Sequence, residues 1–204
     1  MIETILRPNY QRFFVDPIAH ALSRIRFITP IRVTLLAVIM GMCSAVLIIW
    51  QHTYLAVLCL LLSGFFDSLD GTLARVTGQA SDQGAALDIV GDRIVEFVII
   101  FAFYLLDPSR NALGALAMLG ASYLCVTTFL VVGIFSANEG NKSFHYSAGL
   151  MERAEAFVFF IVMMLAPVTF AWLAWVYFIL VLYTAGLRVV EFTGFSLMSW
   201  KKNP

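Results

Sequence analysis

The chain has 204 residues and no formal net charge, with 61% of residues hydrophobic and 13% charged. Ordinary globular domains hold roughly 45–50% apolar and about 25% charged residues, so a soluble fold of this length is excluded and a bilayer is the environment that takes up the surplus. The charge balance gives no reason to expect a nucleic-acid partner. The spacing of Cys43, Cys59 and Cys125 fits neither a zinc site nor a disulfide framework, so they read as reduced packing residues.

In the N-terminal segment, residues 1–28, Tyr10, Phe13, Phe14, Ile18, Ala21, Leu22 and Ile25 recur at helical spacing, while Gln11, Arg12, Ser23 and Arg24 take other faces. This pattern predicts an amphipathic helix in the cytoplasmic membrane interface; the alternative is a soluble helix packed on the end of a bundle. The first long apolar run begins near Ile31. It exceeds the apolar core of a signal peptide, so it reads as a permanent helix. Six spans follow, at roughly 31–50, 53–76, 83–106, 112–135, 149–167 and 169–190, each near the ~20 residues a helix needs to cross the hydrocarbon. The connections are short except for the polar stretch from Ser136 to Ser147. The predicted fold is an all-α integral membrane protein. Residues 1–204 form one domain, with a six-helix bundle over 31–190 behind the interfacial helix.

Basic residues orient the bundle. With the N-terminus in the cytoplasm, Arg7, Arg12, Arg24, Arg26, Arg32, Arg75, Arg93, Lys142, Arg153, Arg188, Lys201 and Lys202 fall on the cytoplasmic side and Arg110 on the other. That is the positive-inside pattern, and six spans return the C-terminus to the cytoplasm.

Spans two and three carry Asp67, Asp70, Asp88 and Asp92. An ionised Asp near the middle of a membrane helix costs about 2.5–3.5 kcal/mol on insertion scales, so such residues are functional candidates. Intramembrane ion pairs with Arg75 and Arg93 are the competing explanation, but two arginines cannot neutralise four carboxylates. Asp67, Asp70 and Ala74 share a narrow arc of one helix, and Gly84, Asp88 and Asp92 line one face of the next. The short loop between them predicts antiparallel neighbours whose acids converge. Clustered carboxylates call for cations, and hard oxygen ligands suit Mg2+ or Mn2+. Gly71 and Gly84 leave room for a phosphate or nucleotide beside the backbone, or else allow close helix packing. Arg75 can fork onto a phosphate, or serve as a snorkelling anchor.

The stretch Asp67-Ser-Leu-Asp70-Gly71-Thr-Leu-Ala74-Arg75, followed by Gly84, Asp88 and Asp92, resembles the signature of the CDP-alcohol phosphotransferase family, D-x2-D-G-x2-A-R-x8-G-x3-D-x3-D. All eight fixed positions and all the gaps match. Agreement weakens at Pro30-Ile31-Arg32-Val33-Thr34, where many members have Asn in place of Ile31. The resemblance implies transfer of a phosphatidyl group from CDP-diacylglycerol to a small alcohol, with release of CMP. It implies that Asp67, Asp70 and Asp88 hold metal, two ions in the family's manner, and that Asp92 is both ligand and general base. Gly71, Arg75 and Gly84 would line the CDP site, and the chain would form a homodimer.

The acceptor is less legible. Branches with phosphorylated acceptors often show arginines in the fourth span, but Ala121–Phe129 has none. Lys142, His145, Arg153 and Arg188 are the remaining cationic candidates. Lys142 and Arg153 are the residues assigned to the acceptor, although Arg153 could instead pair with Glu152 or Glu155. A phosphorylated polyol such as glycerol 3-phosphate or inositol phosphate is the favoured acceptor, ahead of an unphosphorylated alcohol or a second lipid. An ion-coupled transporter is the alternative from another class, disfavoured because the later spans carry no matching acids.

Overall fold

The computed structural model describes residues 10–25, 27–136, 151 and 153–194. Among these residues the chain is helical, with no strand. A π-helical turn at Gln11–Val15 leads into α1 (Asp16–Leu22); α2 (Pro30–Ile49), α3 (Thr53–Thr77), α4 (Asp82–Leu106) and α5 (Pro108–Ser136) follow. After the undescribed segment come α6 (Arg153–Leu165), a 3-10 turn at Pro167–Thr169 and α7 (Phe170–Thr193).

Four helical stretches are long and apolar enough to cross a membrane: Pro30–Ile49, Thr53–Thr77, Pro108–Phe135 and Pro167–Thr193. Two expected spans fall outside that set for different reasons. At 25 residues α4 has the length, but Asp82, Asp88, Asp92, Arg93 and Glu96 interrupt its apolar run. The described part of α6 covers only 13 residues.

Local signals place the helix ends. Gly78 closes α3 in the left-handed conformation at φ 65°, its amide returning to the Ala74 and Arg75 carbonyls. Ser81 then caps α4 by accepting a hydrogen bond from the Gly84 amide at 3.1 Å. The fifth helix begins at Pro108, four residues before the expected start at 112. Asp107 accepts hydrogen bonds from the Ser109 hydroxyl at 2.7 Å and the Arg110 amide at 3.1 Å, and Pro108 suits the first helical position. Those hydrogen bonds hold the Asp107 carboxyl below the usual carboxylate range.

The packing order differs from the one the short loop suggests. Helices α3 and α4 scarcely touch along their backbones; α2 packs against both. The close approach of α2 to α4 depends on glycine. A Cβ on Gly41 would stand 2.4 Å from Val95 Cγ2, and one on Gly91 would stand 2.7 Å from Val38 Cγ2. The two acid-bearing helices are therefore splayed around α2 and approach each other through side chains. On the far side α5 packs against α7. Phe103, Met118, Phe160 and Tyr177 tie α4, α5, α6 and α7 into one apolar core.

The N-terminal helix docks on the bundle through its small residues. Val15 and Ala19 are its buried residues, seated with Val33, Leu69 and Leu73 in a second, smaller core. Tyr10, Phe13, Phe14, Ile18 and Ile25 stay exposed. The exposed aromatic side is the one read as apolar, whereas the docking side consists of two small residues which periodicity alone does not single out.

The α2–α4 contact predicts a selective response. Gly41→Leu should lower the melting temperature of the detergent-solubilised protein, by an overpacking penalty of about 1–3 kcal/mol. Gly120→Leu, whose Cβ meets nothing within 4 Å, should melt near the wild type. Equal melting of both variants would refute the glycine-dependent approach.

Candidate active site

Asp67 and Asp70 come from α3, Asp88 and Asp92 from α4, and Thr34 of α2 lines the same cleft. One carboxylate oxygen each from Asp67, Asp70 and Asp88 lie within 4.8 Å of one another. Asp70 is buried at 5% exposure. Among the described residues, Asp70 Oδ2 and Asp88 Oδ1 are buried without a hydrogen-bond partner. Buried oxygens without partners are costly in an apolar bundle. Hard donors gathered at this spacing fit a divalent cation such as Mg2+ or Mn2+.

Asp92 stands beside this trio. Its carboxylate pairs with Arg153 at 2.6 Å, and the same Arg153 nitrogen pairs with Asp67. Arg153, weighed for the acceptor phosphate or for a neighbouring glutamate, reaches the motif acids from α6. Arg75 and Arg93, the counter-ions of the competing ion-pair explanation, are engaged elsewhere. Arg75 is exposed and donates to the Thr72 hydroxyl at 3.0 Å, and Arg93 pairs with Glu96. Lys142 and His145 lie outside the described residues.

The nucleotide-side candidates occupy the motif end of α3 and α4. A Cβ on Gly71 would have only Arg75 Nη1 within 4 Å, at 3.7 Å, which leaves space beside Asp70. Gly84 uses its amide in the Ser81 cap. Gln11 of the N-terminal turn donates to the Thr72 hydroxyl at 3.3 Å, the same oxygen that Arg75 uses.

A second cavity of about 220 Å3 opens beyond Asp92, and Asp92 and Arg153 line both spaces. Its walls carry Arg93, Arg188, Glu96, Ser122 and Tyr177. Arg188 lies over the Phe129 ring at 5.3 Å and donates to Cys125 Sγ at 3.3 Å. Its Nε is buried without a hydrogen-bond partner among the described residues. Sequence reasoning passed over Thr34 and Glu96. Glu96 was within reach, because Asp88, Asp92 and Glu96 follow at steps of four on one helix face. Ser122 and Tyr177 give no such signal, since long-range packing alone brings them to Glu96.

A family model for CDP-alcohol phosphatidyltransferases matches residues 27–185, and the chain belongs to that family. It is 32% identical over 181 residues to inner membrane protein YnjF of Escherichia coli, covering 84% of this chain and 85% of that protein. It is 31% identical over 146 residues to the phosphatidylinositol phosphate synthase of Corynebacterium glutamicum, covering 71% of this chain and 65% of that protein. The fold is that of Mycobacterium tuberculosis phosphatidylinositol phosphate synthase at 20% identity. The TM-score is 0.72 to its crystal structure in complex with manganese and citrate, with 94% of each chain covered. It is 0.71 to the structure with CDP-DAG bound, covering 94% of this chain and 98% of that one. Family membership and the apolar helices together make this an integral membrane protein.

The cleft predicts opposite effects for two substitutions in protein stripped of metal with EDTA. Asp88→Asn should raise the melting temperature, because it removes a charge from a crowded like-charge group. Arg153→Ala should lower it, with a loss of roughly 3 kcal/mol for stranding two carboxylate partners. Unchanged melting in both variants would contradict this electrostatic reading.

Proposed function

We propose that the chain transfers a phosphatidyl group from CDP-diacylglycerol to a hydroxyl of a phosphorylated polyol, releasing CMP. Glycerol 3-phosphate and an inositol phosphate are the acceptors in view. One observation carries this reading: Asp92 and Arg153 border both the cleft lined by Asp67 and Asp88 and the cavity that holds Arg93 and Arg188. A pyrophosphate donor and a phosphorylated acceptor can thus meet at one aspartate.

In this reading Asp67, Asp70 and Asp88 hold one or two divalent cations, with Asp92 as a further ligand. When bound, such cations supply charge neutralisation at the pyrophosphate and at the departing CMP. The protein's own groups do the rest. Gly71, Arg75 and Gly84 line the CDP side. Arg153 and Arg188 grip the acceptor phosphate, for which the Arg188 Nε has a free N–H among the described residues. Asp92 takes the proton of the acceptor hydroxyl. The hydroxyl oxygen bonds to the phosphorus that carries the diacylglycerol, the bond from that phosphorus to the CMP oxygen breaks, and CMP leaves with the electron pair. The Mn-bound and CDP-DAG-bound states of the Mycobacterium tuberculosis enzyme support this assignment.

The membrane arrangement belongs to the same proposal. Helices α2 to α7 are six spans of one domain in the inner membrane. The acid cluster faces the cytoplasm, both termini are cytoplasmic, the N-terminal helix lies in the interface, and the chain pairs as a homodimer. The carboxylates lie on one helix pair beside a cavity of about 220 Å3 lined by Arg93, Arg153 and Arg188, an arrangement that favours a transferase over an ion pathway.

The test is CMP release from CDP-diacylglycerol by the purified protein, with acceptors supplied one at a time and the product lipid identified by mass. Release should require a phosphorylated polyol and stop with EDTA. Activity in metal-free protein, or a strict need for an unphosphorylated alcohol, would overturn the reading. Asp92→Asn should keep metal-dependent donor binding while turnover falls by about 10²–10⁴-fold, the usual range for general acid–base catalysis. Loss of donor binding in that variant would make Asp92 a ligand alone. Arg188→Ala should raise the acceptor KM with the donor KM unchanged.

A further inference from the structure

The cavity beyond Asp92 is chemically two-ended. Arg153 of α6 stands at the acid cleft, and Arg188 of α7 lines the cavity beside Cys125 and Phe129. Glu96 lies one turn past Asp92 on α4, roughly 6 Å further along the helix axis, and only 12% of its side chain is exposed. Three donors from three helices converge on it. Ser122 of α5 and Tyr177 of α7 each donate to Glu96 Oε1 at 2.5 Å, and Arg93 pairs with Oε2. Tyr177 is 1% exposed and Ser122 is 7% exposed. A carboxylate with two hydroxyls buried in an apolar bundle costs more than apolar side chains of the same volume. The helices that it joins already share a continuous core through Phe103, Met118 and Phe160, so cohesion does not account for it.

The open valences show what this end can recognise. A carboxylate has about four acceptor sites, and three donors are in place. Ser122 and Tyr177 both turn to Glu96 and share a hydrogen bond of 3.2 Å with each other, so the acceptor this end presents is the carboxylate. The floor therefore accepts hydrogen bonds. A hydroxyl group satisfies the open carboxylate site, whereas an ionised phosphate has no proton to give it. At the other end the arginines present donors and positive charge, and they favour the phosphate.

We propose that Glu96, held by Ser122 and Tyr177, is a specificity-determining residue: it takes a hydrogen bond from a non-reacting hydroxyl of the acceptor and fixes which way round the acceptor enters. The inference rests on the acceptor reading above and extends it to a polyhydroxylated phosphate whose phosphate faces Arg153 and Arg188. The reacting hydroxyl then lies beside Asp92, between the two ends. Short acceptors without a further hydroxyl leave the floor unsatisfied and pay the cost of an unmet polar group.

The test compares the full-length wild type with Glu96→Gln and Tyr177→Phe, using glycerol 3-phosphate and an inositol phosphate as acceptors and CDP-diacylglycerol as donor. Glu96→Gln keeps the shape and removes the charge. It should raise the acceptor KM by roughly tenfold to a hundredfold, the range for losing a hydrogen bond to a charged group. Donor KM should stay unchanged, and the ratio of kcat/KM between the two acceptors should shift. Tyr177→Phe should move the acceptor KM in the same direction by less. A structural tie alone would lower the melting temperature and the amount of active enzyme, leaving both the acceptor KM and the acceptor ratio at wild-type values; that result overturns the inference while the acceptor reading stands. If the wild type turns over neither phosphorylated acceptor, the acceptor reading fails and this inference fails with it.

Discussion

Three carboxylates gathered within 4.8 Å inside an apolar helix bundle are the constraint on which the rest of the structure depends. At an effective dielectric constant near 20, each like-charge pair at that distance repels by about 3 kcal/mol. The fold answers this cost in two ways. Arg153 reaches in from α6 to pair with Asp67 and Asp92. The remaining oxygens of Asp70 and Asp88 are left without hydrogen-bond partners among the described residues, in the manner of a site shaped for a cation that is not a side chain. Neither arrangement stabilises the empty fold as apolar residues would. The packing must therefore hold the acids in place, and α2 does so. Wedged between the two acid-bearing helices, with Gly41 against Val95 and Gly91 against Val38, it sets how far apart the carboxylates stand.

Arg153 joins the electrostatics to the proposed chemistry. It borders the acid cleft and the basic cavity together with Asp92, so the charge state of one space is felt in the other. Arg153 is thus the side chain that the two spaces share, and groups of α3, α4 and α6 meet at it.

Much of the site was legible because its spacing is local. The three-residue step from Asp67 to Asp70 and the four-residue step from Asp88 to Asp92 each place a pair of acids on one helix face, and periodicity reads that directly. The ends of α3 and α4 fall within a residue of the expected spans, whereas α5 starts four residues ahead of its span, where Asp107 caps a helix opened by Pro108. The remainder is long-range packing. No periodicity says that α2 sits between α3 and α4, that Thr34 lines the acid cleft, or that Arg153 pairs with aspartates sixty or more residues away. Val15 and Ala19 dock the N-terminal helix because they are small enough to lie close to Leu69 and Leu73, whereas hydrophobic patterning weights the large residues that remain exposed. Glu96 continues the four-residue ladder beyond the motif, but its partners Ser122 and Tyr177 come from helices that only the fold brings near.

Divalent-cation binding by the acid cleft is the claim that everything else leans on, and it can be measured without any assay of turnover. The purified full-length protein would be titrated with Mn2+ and the free ion followed by electron paramagnetic resonance. Saturable binding is predicted for the wild type and for Arg188→Ala, with binding lost or severely weakened in Asp70→Asn and Asp88→Asn. A wild type that binds no Mn2+ saturably, or aspartate variants that bind it as tightly as the wild type does, would contradict the metal-site reading at its root.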